Sequence, residues 1–180
     1  RYQNEIFSDV DIETVIYSEP YNLAMDIYTP VGDEYTNRPL IIFAHGGSFI
    51  GGSKTNSLMI QLCETFAKKG YVTASINYRL ATNATVLGTD FGSFGGLTWM
   101  TNLNNGIKVI YSSFTDAKAA VRFFRKNAIE NNNPYGIDIE QIWMGGNSAG
   151  AVLAPHIAYV SSLDEFINGI DESGQDYALS

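Results

Sequence analysis

The chain has 180 residues, 45% of them hydrophobic, which suits one globular domain with a real core. A net charge of -8 argues against nucleic-acid binding and favours solubility, and the one cysteine, Cys63, leaves no disulfide to form within the stretch. No apolar run is long enough to span a bilayer, so a soluble protein is expected. The first residue is Arg1 and not Met, as at the start of a mature form after signal removal (an extracellular or periplasmic location) or at an arbitrary boundary.

Taken in chain order, "VDIETVIYS" (10–18) and "NLAMDIYTP" (22–30) alternate apolar and polar residues and are joined by "EPY". That pattern predicts an antiparallel strand pair, polar on one face. Leu40 to Ala44 in "RPLIIFAHGG" form an unbroken apolar run ending in glycines, which fits a strand buried on both faces of a parallel sheet. "SLMIQLCETFAKKG" follows as an amphipathic helix with Leu58, Leu62, Phe66 and Cys63 inward and Gly70 as the stop. "YVTASINYRL" is the next buried strand. "FTDAKAAVRFFRKNA" is a second helix, with Phe114, Ala117, Val121, Phe124 and Ala128 inward. "IEQIWMGG" gives a fifth strand and "SAGAVLAPHIAYVSSL" a third helix. Two antiparallel strands followed by strand–helix units imply an α/β layered sheet.

Residues 81–113 separate a strand from a helix by far more than a usual connection, and such long connections are often lids or pocket walls. Phe91, Phe94 and Trp99 in this segment, with Phe49, are candidate walls of a substrate pocket; anchoring of a loop over the core is the plainer role. Asn83-Ala84-Thr85 fits a glycosylation sequon and is given no role. Cys63 reads as a small core residue. Asp116, Arg79 and Arg122 read as a structural ion pair near the second helix.

Gly146-Asn147-Ser148-Ala149-Gly150 matches G-x-S-x-G between a strand and a helix. That context requires a turn so sharp that the serine is strained and its hydroxyl projects. Glycine fits both flanking positions, because side chains there would meet neighbouring backbone. The Ala149 N–H is left without a helical partner and faces the place where an oxyanion would form. The bland alternative is a Gly/Ser turn that merely caps a helix. "HGGSF" (45–49), at the end of the first buried strand, lets main-chain N–H groups face a cavity.

With these two motifs the chain resembles the α/β-hydrolase fold, in the esterase branches related to carboxylesterases and hormone-sensitive lipase. The resemblance runs from about residue 10 to about 160 and extends to "INYRL" and "DAKAAVRFFRKNA". It implies a serine hydrolase of carboxylic esters working through an acyl-enzyme, with Ser148 as nucleophile. Gly47, Ser48 and Ala149 would supply oxyanion N–H donors, and no metal or organic cofactor would be needed. Ser48 departs from the pattern, which usually has a third glycine there. A peptidase or a polyester or plant-wall ester hydrolase on the same fold, and a non-catalytic hydrolase-like binding protein, are the alternatives.

The base is the difficulty, since the chain has two histidines, His45 and His156. By the resemblance His45 orders the oxyanion loop. His156 lies eight residues beyond Ser148 on the same helix, about 12 Å along its axis, and a base must come within roughly 3 Å. The fold's order is serine, acid, histidine. Asp164, Glu165, Asp171, Glu172 and Asp176 follow the serine in what reads as helix end and solvated loop, with no later histidine. Five strands are counted, and ending after the fifth would leave an apolar edge unpaired. The expectation is a single incomplete α/β-hydrolase domain over 1–180. The triad acid, the histidine and the last strands would lie beyond Ser180, in the remainder of the same protein or a second chain that completes the sheet.

Overall fold

The alternation in the strand sequences becomes a sheet with a core on each face. In the computed structural model, residues 1–82 and 103–159 are described. Strands β1 (Val10–Ser18), β2 (Leu23–Pro30), β3 (Arg38–Ala44), β4 (Val72–Ile76) and β5 (Ile137–Gly146) form one sheet in the order β1-β2-β4-β3-β5. The β1–β2 and β2–β4 pairs are antiparallel, and β3 pairs in parallel with both β4 and β5. Helix α1 (Ser57–Lys68) joins β3 to β4, α2 (Leu103–Glu130) precedes β5, and α3 (Ala149–Tyr159) follows it.

Period-two geometry sends successive side chains of one strand to opposite faces. Met25, Ile27, Leu40, Ile42, Ala44, Val72, Ala74 and Ile76 share one core with Phe114, Ala117, Ala120 and Phe124 of α2 and Leu153 of α3. Tyr28 and Phe43 point the other way, to Met59, Cys63 and Ala67 of α1. The result is three layers, helix on both faces of a mixed sheet. This is the α/β arrangement expected from the strand–helix order.

Two helices differ from their sequence reading. On α1 the fully buried row is Met59, Cys63 and Ala67, while Leu58 is largely exposed. Small side chains at 63 and 67 let the helix axis approach the sheet, so the contact row shifts by one residue and Leu62 and Phe66 flank it. Thr73 Oγ1 of β4 reaches the Cys63 carbonyl at 2.9 Å, and burial pushes the Cys63 thiol up to about 12. Helix α2 begins at Leu103, so residues 103–113 of the long 81–113 segment are helical and not pocket-wall loop. The buried row Val109, Ser113, Phe114, Ala117, Ala120, Phe124 keeps helical spacing across "YSS". The Ser113 hydroxyl, buried in this row, is shared between the carbonyls of Arg79 at 2.8 Å and Val109 at 2.9 Å.

Asp116 and Arg79 pair as expected, with Arg79 Nε 3.0 and 2.9 Å from the two Asp116 oxygens. The Arg79 N–H also donates to Asp116, at 2.8 Å, and the guanidinium lies over Tyr21 at 3.7 Å. Arg122 is exposed and takes no part in these contacts. The pair fixes the chain leaving β4 against α2. Breaking a buried pair strands a charge, so Asp116→Ala is expected to cost about 3–5 kcal/mol of stability, read by urea denaturation. A loss under about 1 kcal/mol, the range of exposed pairs, would show that Arg79 finds water instead.

Strand β5 is the last strand of the described sheet, with β3 on its one paired side. Trp143 on it is 62% exposed. No described helix is long and apolar enough to cross a membrane.

Candidate active site

The connectivity creates the site. Chain order runs β3, β4, β5, but in space β3 lies between β4 and β5. The helix that follows β3, α1, packs on one face of the sheet, and the helix that follows β5, α3, packs on the other. In open α/β sheets the crevice at such a switch point, beyond the carboxyl ends of the strands, is where ligands bind. Because β3 and β5 are parallel with Ala44 opposite Gly146, the segments after them emerge side by side. These segments are His45-Gly46-Gly47-Ser48 and Asn147-Ser148.

Ser148 has φ +52°, in the left-handed region that non-glycine residues rarely occupy. Such a residue costs on the order of 1–3 kcal/mol and persists only where its surroundings impose it. Here the Asn147 N–H donates to the Ala44 carbonyl at 3.2 Å, and the Ser148 carbonyl accepts from Ala151 and Val152 at 3.0 and 3.2 Å. The turn is thus tied to β3 on one side and opens α3 on the other, leaving Ser148 exposed. Two glycines make it possible. A methyl group on Gly146 would sit 2.5 Å from the Gly150 carbonyl carbon, and one on Gly150 would sit 2.0 Å from the Ala44 carbonyl oxygen. The spacing G-x-S-x-G is thus required by the contact of α3 with the end of β3. Ala149 is the first residue of α3, so its N–H has no carbonyl one turn back.

The facing loop is also left-handed. Gly47, Ser48 and Phe49 have φ of +126°, +53° and +58°. The Gly47 carbonyl accepts from Ile50 and Gly51 at 2.9 and 3.1 Å, closing a tight turn with Gly47 and Ser48 exposed. Serine at position 48 is therefore accommodated in a conformation for which glycine is the usual choice. Gly46 is the residue that the sequence reading left without a role. A methyl group there would lie 3.0 Å from the Asn147 carbonyl oxygen and 3.2 Å from Ser148 Cβ. The loop and the serine turn are therefore in close contact, and the first glycine of "HGG" was the available signal.

His45 is buried, stacked on Tyr78 at 4.4 Å, with Nδ1 2.7 Å from the Gly46 carbonyl. A carbonyl can only accept, so Nδ1 carries the proton. The Tyr78 hydroxyl donates to the His45 carbonyl at 2.6 Å. Burial lowers the imidazole pKa, against the opposing pull of the Gly46 hydrogen bond, and favours the neutral ring. His156 donates Nδ1–H to the Val152 carbonyl on its own helix at 2.7 Å. Among the described residues neither histidine is bonded to the Ser148 hydroxyl.

Phe49 is buried, edge-on to Tyr78 at 6.1 Å, and its carbonyl accepts from the Ala81 N–H at 2.6 Å. Phe91, Phe94 and Trp99 lie outside the described residues, as do Asn83-Ala84-Thr85 and the acids from Asp164 to Asp176. Among the described residues no group of three or more His, Cys, Asp or Glu is placed to hold a metal. Two clefts, of about 710 and 650 Å³, lie along β1–β2 and between β5, α2 and α3, and Ser148 lines neither.

The sheet order, the strained serine opening a helix and the left-handed glycine loop beside it define the α/β-hydrolase fold. The comparisons with known proteins place its relatives among esterases. The BD-FAE family model matches residues 25–88. A probable isoprenylcysteine alpha-carbonyl methylesterase from Oryza sativa subsp. japonica is 28% identical over 169 residues, covering 94% of this chain and 31% of that protein. The apo form of Thermogutta terrifontis esterase 2 superposes with a TM-score of 0.62 at 26% identity, over 91% of this chain and 50% of that one. The same esterase phosphorylated by paraoxon matches with a TM-score of 0.61 at 26% identity, over 84% and 49% of the two chains. The chain thus spans about a third of the rice relative and half of the bacterial esterase.

Proposed function

We propose that this chain carries the nucleophile half of a serine esterase that hydrolyses carboxylic esters through an acyl-enzyme. The observation that carries the reading is Ser148 in a left-handed turn at the switch point, in contact with Gly46 of the glycine loop. A helix cap has no need of that strain or of that neighbour.

In this reading Ser148 Oγ attacks the ester carbonyl carbon and gives its proton to a histidine. The carbonyl oxygen becomes an oxyanion beside the N–H groups of Gly47, Ser48 and Ala149. The C–O bond then breaks and the alcohol leaves with the proton from the imidazolium. Water, deprotonated by the same histidine, attacks the acyl-enzyme and releases the acid. His45 is bonded to Gly46 and stacked on Tyr78, and His156 lies eight residues beyond Ser148 on α3, about 12 Å along its axis. In this reading the histidine and its acid come from polypeptide outside residues 1–180, either the remainder of the same protein or a second chain. Pairing of that polypeptide with β5, which pairs with β3 alone among the described strands, would complete the sheet.

The Thermogutta terrifontis relative is phosphorylated by paraoxon, so an organophosphate is the probe of choice. Incubation of the complete protein with paraoxon or a fluorophosphonate should give one adduct, mapped to Ser148 by peptide mass spectrometry. A folded protein with no adduct, or an adduct elsewhere, would overturn the assignment.

A further inference from the structure

Lys54 sits on the stretch that leads from His45 to α1, and it is held by more contacts than a surface loop needs. Its Nζ is 2.6 Å from both carboxylate oxygens of Asp26 on β2. Asp26 is buried and accepts a further bond from Thr14 Oγ1 of β1 at 2.5 Å. The main chain of Lys54 is fixed as well. Its N–H donates to Asn77 Oδ1 at 2.7 Å, and its carbonyl accepts from Ser75 Oγ of β4 at 2.7 Å. Asn77 is itself anchored, its N–H on the Ala24 carbonyl at 3.0 Å and its carbonyl on the Tyr17 hydroxyl.

Largely buried ion pairs are seldom the cheapest way to add stability, because both charges lose water. This one has a positional consequence. Seven positions separate Gly47 from Lys54, and the stretch between them is in close contact with the loop at two points. The Gly47 carbonyl closes its turn on Ile50 and Gly51. A methyl group on Gly52 would lie 2.4 Å from the Gly46 carbonyl oxygen and 2.5 Å from His45 Nδ1. The return limb of the loop therefore backs directly onto Gly46 and His45 at Gly52, two residues before Lys54.

We propose that Lys54, clamped by Asp26 and Asn77, is the positioning residue of the glycine loop. It holds the return limb so that the Gly47 and Ser48 N–H groups stay aimed beside Ser148. The inference rests on the oxyanion reading of that loop. Lys54 touches no substrate; it acts through the backbone.

The test uses the complete protein and two independent changes. The double variant Lys54→Met/Asp26→Leu removes both charges, so no buried charge is left alone. Asn77→Ala removes the acceptor of the Lys54 N–H and leaves the ion pair in place. Both are expected to melt cooperatively. For a chromogenic short-chain ester, kcat should fall about 10²-fold in the double variant and about tenfold in Asn77→Ala, with KM little changed. Affinity for a trifluoromethyl ketone, which forms a tetrahedral oxyanion on the serine, should fall by the same factors. Lys54→Arg, which keeps the charge, should recover most of the rate. Wild-type kcat and ketone affinity in either folded variant overturns the proposal, provided that Ser148→Ala is inactive. Activity persisting in Ser148→Ala would instead overturn the site itself.

Discussion

Ser148→Ala in the complete protein is expected to lower kcat on ester substrates by on the order of 10⁶-fold while leaving the fold in place. The magnitude follows from hydrolases in which losing the nucleophile costs about as much as losing the whole triad. The expected integrity of the fold follows from position. Ser148 is exposed, and its main-chain carbonyl, not its hydroxyl, receives the first bonds of α3. Alanine pays the same left-handed penalty as serine, so stability should change by less than about 1 kcal/mol. The companion variant His156→Ala should leave turnover near wild type, because His156 lies eight residues beyond Ser148 on α3, about 12 Å along its axis and out of a base's reach. Steady-state kinetics on a chromogenic ester and a thermal melt decide both. Full activity in Ser148→Ala refutes the nucleophile, and a collapse of kcat in folded His156→Ala refutes the placement of the base elsewhere.

Gly47→Val should be the second most damaging change. Gly47 has φ +126°, and a Cβ there would lie 2.1 Å from the Gly51 carbonyl oxygen. Valine can satisfy neither constraint, so the turn must open and the N–H groups of residues 47 and 48 must swing. Losing one such donor costs about 3–4 kcal/mol of transition-state stabilisation, about 10²- to 10³-fold in kcat. Gly51→Ala is the control. A methyl group at Gly51 meets nothing within 4 Å, so that variant should behave as wild type. Circular dichroism separates a local change from unfolding. A folded Gly47→Val protein with wild-type kcat would remove the loop from the reaction.

Much of this architecture was legible because it depends on short-range patterns. The run Leu40 to Ala44 was read as a strand buried on both faces, and β3 lies between two parallel partners. The spacing of Phe114, Ala117 and Phe124 gave the body of α2. Its first turns, residues 103–113, fall in the stretch that reads as a long connection, and only the carbonyls of Val109 and Arg79 give the buried Ser113 hydroxyl its partners. The α1 face was off by one position, because periodicity shows a stripe and not which row of it meets the sheet.

The sequence by itself determined that a serine lies between glycines at the end of a strand, that a glycine loop ends an earlier strand, and that neither histidine is well placed to serve as base. Those are statements about neighbours along the chain. The tertiary structure alone decided that the two loops meet. That depends on β5 crossing to the far side of β3 and pairing Ala44 with Gly146, a contact between residues about a hundred positions apart. It also decided that Gly46 abuts Ser148 and that Lys54 finds Asp26. Local periodicity carries no information on strand order, because the same alternation serves any neighbour. The close approach of backbone to backbone that selects glycine at 46, 146 and 150 exists only once that order is set.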